Sequence, residues 1–234
     1  MGNPVQLART AGFLYLIVNV CAVFAQFLVR SRLVVPGDAA ATATNIMASE
    51  WLFRIGFVSD LLANTCYFLL ALILYVLLKP VNKNIALLDL CLVSIGVAIY
   101  SINMLNHFAA LLLLSGADYL SAFETEQLHA LVLLFLTMHS HGYGIAIIFF
   151  GGWLLPLGYL VFKSGYFPKI LGVLLMIACF GYLIDVFLVF LFPSYEAIAY
   201  PGLAVAAIAE ISFGLWLLFK GLQKPPQDAT AVPT

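Results

Sequence analysis

Six long apolar runs constrain the fold of this chain more than any other feature. Each run is long enough, at 1.5 Å per residue in a helix, to cross about 30 Å of hydrocarbon. A membrane barrel is disfavoured, because its strands would alternate apolar and polar residues over about 10 positions. The runs cover residues 11–29, 52–78, 84–114, 127–162, 168–191 and 201–222. They predict an all-α integral membrane protein, with one six-helix bundle over residues 1–222 and a disordered cytoplasmic tail over 223–234.

The composition of the 234-residue chain agrees with this architecture and narrows its partners. Apolar residues make up 64% of the chain and charged residues 9%, which leaves too little polar surface to cover a soluble globule. The net charge of −1 provides no basic face, so no nucleic acid partner is expected. The partner that the sequence does predict is the lipid bilayer.

Basic residues are distributed unequally over the predicted loops, and this predicts an orientation. One side of the membrane would hold only Arg30 and Arg32. The other side would hold Arg9, Lys79, Lys83, Lys163, Lys169, Lys220 and Lys224. Because short cytoplasmic loops carry the excess of Lys and Arg, both termini are predicted to be cytoplasmic.

The second apolar run begins with an unusual concentration of charge. Asp38 follows Pro-Gly and is predicted to cap the next helix. Glu50 and Arg54 are four residues apart, which predicts an ion pair where the helix enters the membrane. One continuous helix over 39–78 would be about 60 Å long, twice the hydrocarbon thickness, so its head is expected to project outward, to lie at the interface or to bend over the bundle. Residues 36–54 are therefore predicted to form a lid over an outer pocket.

Polar and ionisable side chains inside the spans are costly and indicate a functional site. Most of them lie at a similar depth, about 10–15 Å below the outer end of their helix. They predict a pocket that opens outward and binds a ligand. Its predicted lining is Asp60, Asn64, Asn103, His107, His139, His141, Asp185 and Glu210. Within this set, His107 and Asn64 are the expected partners of Asp60.

The same residues leave three functions open. The pocket can bind a small molecule, a lipid or an ion, for transport or for sensing. Alternatively, His107, His139 and Asp185 can hold zinc or iron, or two histidines can hold haem, in a membrane-embedded enzyme. His139 and His141 cannot both reach one ion, because positions two apart on a helix point about 200° apart. A third possibility is an accessory subunit whose protein partner supplies the activity.

Two long runs resemble a known family. They are RSRLVVPGDAAATATNIMASEWLFRIGFVSDLL at 30–62 and IIFFGGWLLPLGYLVFKSGYFPKILGVLLMIACFGYLID at 147–185. Both are similar to a bacterial integral membrane family catalogued as domain of unknown function 4386. The resemblance implies a multi-pass protein of the bacterial cytoplasmic (inner) membrane, and it implies no chemistry. The residues inside the matching runs to which it draws attention are Asp38, Asn45, Arg54, Asp60, Pro168 and Asp185.

Overall fold

A computed structural model describes residues 3–223, and these residues form helices joined by short turns, with no strand among them. The α-helices are α1 (Pro4–Val23), α2 (Ser31–Leu33), α3 (Ala39–Ala48), α4 (Glu50–Leu78), α5 (Lys83–Leu113), α6 (Thr125–Gly152), α7 (Leu154–Ser164), α8 (Lys169–Leu191) and α9 (Tyr200–Phe219). A π-helical segment, Phe24–Arg30, continues α1, and two 3-10 segments cover Asp118–Leu120 and Pro193–Ala199. The predicted disordered tail lies outside the described residues, apart from Gln223.

Six of these helical segments are long and apolar enough to span a membrane, which confirms the predicted all-α membrane architecture. They run Pro4–Leu33, Glu50–Leu78, Lys83–Leu113, Thr125–Ser164, Lys169–Leu191 and Pro193–Phe219. The first and the last extend beyond the predicted apolar runs. Lipid offers no partner to backbone polar groups, so a helix continues into polar flanking residues until a turn ends it. The side of the membrane that each terminus faces stays a prediction.

Two breaks interrupt the long helical stretches. α3 and α4 separate at Ser49, whose backbone leaves the helical region at φ −135° and ψ 39°. α6 and α7 separate at Trp153. The second break has a local cause, because Pro156 lacks an N–H and its ring crowds the carbonyl four residues earlier, that of Gly152. Both breaks divide segments that would otherwise be much longer than the hydrocarbon core is thick.

The contacts divide the chain into two compact units, each of which has its own core. Among the described residues, unit 1 consists of 3–16, 68–96 and 147–223. Its buried aromatic residues include Tyr15, which meets Trp153 and Phe213 edge-on at centroid distances of 6.3 and 6.4 Å. Gly158 and Gly172 let α7 and α8 approach closely, because a Cβ on either residue would meet backbone atoms of the other helix.

Unit 2 consists of residues 17–67 and 97–146. Its apolar core joins the end of the first span to α3, α4, α5 and α6, through Val29, Leu33, Ile46, Phe53, Ala110, Leu111, Val132 and Leu136. α3 is fixed beside the first span, since Ile46 enters this core and the Asn45 side-chain amide donates to the Leu33 carbonyl at 3.3 Å. This core supports the polar cluster described next.

Candidate functional site

The π-helical segment Phe24–Arg30 places a basic side chain inside unit 2. A π-helix carries one extra residue per turn and occurs frequently at functional sites. Arg30 is its last residue, and its Nε donates to Gln26 Oε1 at 2.9 Å. The Ser31 hydroxyl donates to the Gln26 carbonyl, five residues earlier, at 2.9 Å. Arg30 therefore lies within the first span, although the sequence pattern predicts it to be a loop residue.

Arg30 forms an ion pair with Asp60 of α4, through Nη1 and Oδ2. The side chains are only 15% and 3% exposed, so the pair is largely removed from solvent. The Tyr100 side chain of α5 lies beside the Asp60 carboxylate. Arg30, rather than either of the predicted partners, is thus the charge that compensates Asp60.

Asp60, His107 and His139 form one buried cluster. They come from α4, α5 and α6, and one ligand-type atom of each lies within 4.8 Å of those of the other two. All three residues are at most 3% exposed. Two imidazoles and one carboxylate are a donor set suited to zinc or non-haem iron. The sequence predicted both histidines as metal ligands with Asp185, but the carboxylate in this cluster is Asp60.

His107 has no hydrogen-bond partner on either ring nitrogen among the described residues. Its ring stacks on Phe53 at a centroid distance of 4.1 Å and meets the His139 ring edge-on at 5.4 Å. A buried polar atom without a partner costs about 1–3 kcal/mol and calls for an explanation, of which an ion or water is one. The Phe53 stacking holds the ring in place while leaving both nitrogens available.

His139 is oriented by Asn103 of α5. The Asn103 side-chain amide donates to the His139 carbonyl at 2.8 Å, and its nitrogen lies 3.3 Å from His139 Nδ1. The Asn106 side chain in turn donates to Asn103 Oδ1 at 3.0 Å. Gly142 makes this contact possible, because a Cβ there would collide with the Asn103 amide. Such outer contacts orient the ligands of a metal site.

A cleft of about 500 Å³ adjoins the cluster within unit 2. Arg30 and His139 are both part of its wall, so two members of the polar network are accessible from it. One wall comes from the end of the first span and the following turn, and the other from a single face of α6. The lining residues are Gln26, Arg30, Ser31, Val34, Pro36, Leu136, His139, Ser140 and Tyr143.

Three of the remaining predicted lining residues have other surroundings. In unit 2, the Asn64 side chain donates to the Val97 carbonyl at 3.0 Å and to the Ser101 hydroxyl at 2.6 Å, which ties α4 to α5. His141 is exposed, as its position two residues after the buried His139 requires. Asp185 lies in unit 1 and is half-buried.

Glu210, the last of the predicted lining residues, also belongs to unit 1. Its carboxylate accepts hydrogen bonds from the hydroxyls of Tyr15 and Tyr182 at 2.6 and 2.7 Å. The structure therefore gathers Asp60, His107, His139 and Asn103 into one network, whereas Glu210 has a bonded environment of its own. The participation of Glu210 and Asp185 in ligand binding stays a prediction.

The predicted helix cap and the predicted ion pair at the head of the second span are both present, and each forms within its own helix. The Asp38 carboxylate accepts from the Ala41 N–H at 2.8 Å at the start of α3. Arg54 Nε donates to Glu50 Oε1 at 2.7 Å, and both side chains are about half exposed. Of the predicted lid, residues 36–54, only Pro36 lines the cleft. The lid itself stays a prediction.

Sequence reasoning missed Arg30 and Tyr100 as members of the site. Arg30 follows the first apolar run directly, and nothing in the sequence indicates the π-helical segment that draws it into the bundle. A usable signal was present in the chain, since Asp60 is a membrane charge without an assigned partner and such charges pair with one another. Tyr100 shares a helical face with Asn103 and His107, so its spacing could have identified it.

Comparison with known proteins identifies the family. The model of a family described as "Domain of unknown function (DUF4386)" matches residues 10–221. This chain belongs to that family. A relative from Archaeoglobus fulgidus, described as an uncharacterized protein, is 35% identical over 153 residues, which is 64% of this chain and 74% of the relative. No solved structure matches.

Membership of the DUF4386 family agrees with the resemblance of the two long runs and with the six spans. The chain is a multi-pass membrane protein of a family that carries no assigned chemistry. Function has to be argued from the site itself, because neither description names a ligand or a reaction.

Proposed function

We propose that unit 2 binds a divalent transition-metal ion through Asp60, His107 and His139, beside a cleft that opens to the outer face of the membrane. The observation that carries this proposal is His107. It is a fully buried imidazole with no partner on either nitrogen among the described residues, and it lies within 4.8 Å of two other ligand-type atoms. A bound cation would give one ring nitrogen of His107 the partner that it lacks.

The donor set favours zinc or iron over haem. Ligand atoms of one tetrahedral zinc ion are about 3.3 Å apart, so the three side chains would close by about 1.5 Å on binding. The carboxylate has about four lone-pair sites, so its bond to Arg30 leaves sites for a metal ion. Haem is less well supported, because the His107 and His139 rings meet edge-on at 5.4 Å with Asp60 beside them, whereas axial ligands face each other across the porphyrin.

The number of ligands and the adjoining cleft support an enzymatic role. Catalytic zinc sites have three protein ligands and leave the fourth position for water or substrate, whereas structural sites are closed by four. His139 belongs both to the cluster and to the cleft wall, which supports access to such an open position. Hydrolysis is the reaction class that a metal-activated water serves. We therefore propose a membrane-embedded, metal-dependent hydrolase.

A second candidate function needs no metal. Arg30 already compensates the charge of Asp60, and together they form a neutral buried pair beside a cleft of about 500 Å³. A cavity of this size suits a small molecule or part of a lipid. The alternative is therefore a binding protein that transports or senses such a ligand.

The proposed orientation rests on the distribution of basic residues. Seven Lys and Arg residues in the predicted loops of one side against two in those of the other support cytoplasmic termini and an outward cleft. We further propose the cytoplasmic membrane as the location.

Metal analysis of the purified full-length chain, together with its absorption spectrum, tests this function. We expect about one zinc or iron ion per chain after loading and removal of free metal. The His107→Ala variant should lose it. His129→Ala is the matched control, because it removes another histidine of unit 2, on α6, that lies outside the cluster. This variant should retain the ion.

Two results would contradict the metal site. A wild-type chain that binds no metal after loading with zinc or ferrous iron would contradict the metal site and favour the binding or transport alternative. Equal metal content in wild type and His107→Ala would mean that the ion binds elsewhere. A Soret band in the absorption spectrum would instead identify haem.

A further inference from the structure

Arg30 contributes few of its hydrogen-bond donors to the protein. Its Nε bonds Gln26 and its Nη1 bonds Asp60. A guanidinium has five N–H groups, so about three have no partner within residues 3–223. Because Arg30 lines the cleft, these groups are available to a ligand there. The planar fork of arginine matches the geometry of phosphate and carboxylate groups.

Ser140 is a second unused donor in the same cleft. Three hydroxyls inside the spans, those of Thr65, Ser94 and Thr137, bond the carbonyl four residues earlier at 2.9, 2.7 and 2.8 Å. Ser140 forms no hydrogen bond with any described residue, although it lies on the same α6 face as His139 and lines the cleft. A membrane hydroxyl that forgoes its local acceptor is free to bond a ligand.

The charge of the cleft depends on the proposed metal. Arg30 and Asp60 cancel each other when no other ion is present. A divalent ion on Asp60, His107 and His139 adds about two positive charges to this neutral pair, and it becomes the largest local charge. An anion is then attracted to the cleft, which by itself holds no uncompensated charge among its lining residues.

The remaining lining residues point to the rest of the ligand. Val34, Pro36 and Leu136 supply an apolar part of the wall. We propose that the cleft binds the oxyanion group, phosphate or carboxylate, of an amphiphilic ester. Arg30 and Ser140 donate to the oxyanion, and the apolar residues contact the hydrocarbon part. This inference rests on the proposed function, because the metal supplies the net positive charge.

Binding measurements on the zinc-loaded full-length protein in neutral detergent test the proposal. The probes are dihexanoyl phosphatidic acid, inorganic phosphate, and dihexanoylglycerol as the uncharged control with the same chains. We expect phosphatidic acid to bind at least about tenfold more tightly than dihexanoylglycerol, since charge-assisted bidentate hydrogen bonds are the strong ones. Preference for phosphatidic acid over phosphate identifies a lipid source, and equal binding identifies a soluble anion.

Variants assign the effect to the two donors. Arg30→Gln should weaken phosphatidic acid binding about tenfold or more, while zinc content is retained. Arg30→Lys keeps the positive charge but not the planar fork, so it should lose less affinity for phosphatidic acid. This variant also keeps a counter-charge for Asp60, so it provides a test if Arg30→Gln does not fold. Ser140→Ala should weaken binding by less than either.

Equal binding of phosphatidic acid and dihexanoylglycerol to zinc-loaded protein would overturn the inference while leaving the metal site intact. A chain that binds no zinc would overturn the proposed function instead, and the same zinc measurement shows which has failed.

Discussion

Two carboxylates inside the spans, Asp60 in unit 2 and Glu210 in unit 1, are held in different ways. Glu210 accepts hydrogen bonds from two neutral tyrosine hydroxyls, at 2.6 and 2.7 Å. Asp60 pairs with a cation, Arg30, and lies beside two histidines. One of these, His107, has no hydrogen-bond partner within the described chain, and the other lines a cleft.

The comparison indicates that Glu210 has a structural role, whereas Asp60 belongs to a candidate binding site. Both Glu210 oxygens have donors from α1 and α8, so this carboxylate ties α9 to its neighbours within unit 1. The same helices pack closely, since a Cβ on Gly181 would meet the Gly202 backbone. The Asp60 cluster retains bonding capacity and has an adjoining cavity. A polar side chain within a span therefore indicates a functional site more strongly when some of its donors or acceptors have no partner in the protein.

The largest expected effect follows from separating Asp60 and Arg30. Asp60→Leu leaves a largely buried guanidinium without a counter-charge and should lower the free energy of unfolding by about 3–5 kcal/mol. The double variant Arg30→Met/Asp60→Leu should recover most of this loss, because an apolar pair has no charge to desolvate. Thermal unfolding of the purified protein measures both. A double variant no more stable than Asp60→Leu would contradict the pairing.

Gly142→Ala tests the contact that orients His139. The added methyl group would displace the Asn103 amide, so zinc affinity should fall about 10–100-fold, the effect typical of outer contacts in metal sites. Overpacking should lower stability by about 1–3 kcal/mol. Gly152→Ala is the matched control on α6, because no atom lies within 4 Å of a Cβ there. Equal zinc affinity in both variants would mean that Asn103 does not support the site.

Exchanging a carboxylate for an amide distinguishes the two units. Glu210→Gln keeps one acceptor for a tyrosine and supplies an amide for the other, so stability should fall by only about 1 kcal/mol. Zinc content should be unchanged. Asp60→Asn should lose zinc, because it removes the charged ligand. Metal analysis of the two variants side by side checks this, and loss of zinc in Glu210→Gln would show that unit 1 contributes to the metal site.

The smallest effect is expected at the exposed ion pair at the start of α4. Arg54→Gln should change stability by less than about 0.5 kcal/mol, since i,i+4 pairs in contact with solvent contribute little. The comparison with Asp60→Leu is direct, because both pairs involve α4 and one arginine. A melting temperature lowered as much as in Asp60→Leu would indicate that Arg54 has a buried role.

Most of the fold could be predicted from the sequence, because the bilayer allows few alternatives. Backbone groups in hydrocarbon have to bond within their own segment, so a long apolar run reads directly as a helix. Helix length alone indicated that residues 39–78 cannot all lie within the hydrocarbon, but it did not locate the break at Ser49. What hydropathy could not give was the π-helical segment 24–30, which changes the direction of Arg30 without changing the apolar pattern.

The candidate site could be predicted only in part. Depth along each helix grouped Asp60, His107 and His139, whose ligand-type atoms lie within 4.8 Å of one another. The same criterion also grouped Asp185 and Glu210 with them, although both belong to unit 1. Depth gives the level of a residue in the membrane but not the neighbours that its helix face meets. Those neighbours depend on interhelical packing, which glycines such as Gly142 and Gly181 control through contacts that periodicity does not reveal.

X-ray absorption at the zinc edge of the loaded, purified protein tests the proposed metal site. We expect a first shell of nitrogen and oxygen at about 2.0–2.2 Å, with the outer scattering of two imidazole rings. His107→Ala should reduce the imidazole contribution to one ring or release the ion. A shell containing sulfur at about 2.3 Å, or oxygen alone without imidazole scattering, would contradict a site made by Asp60, His107 and His139.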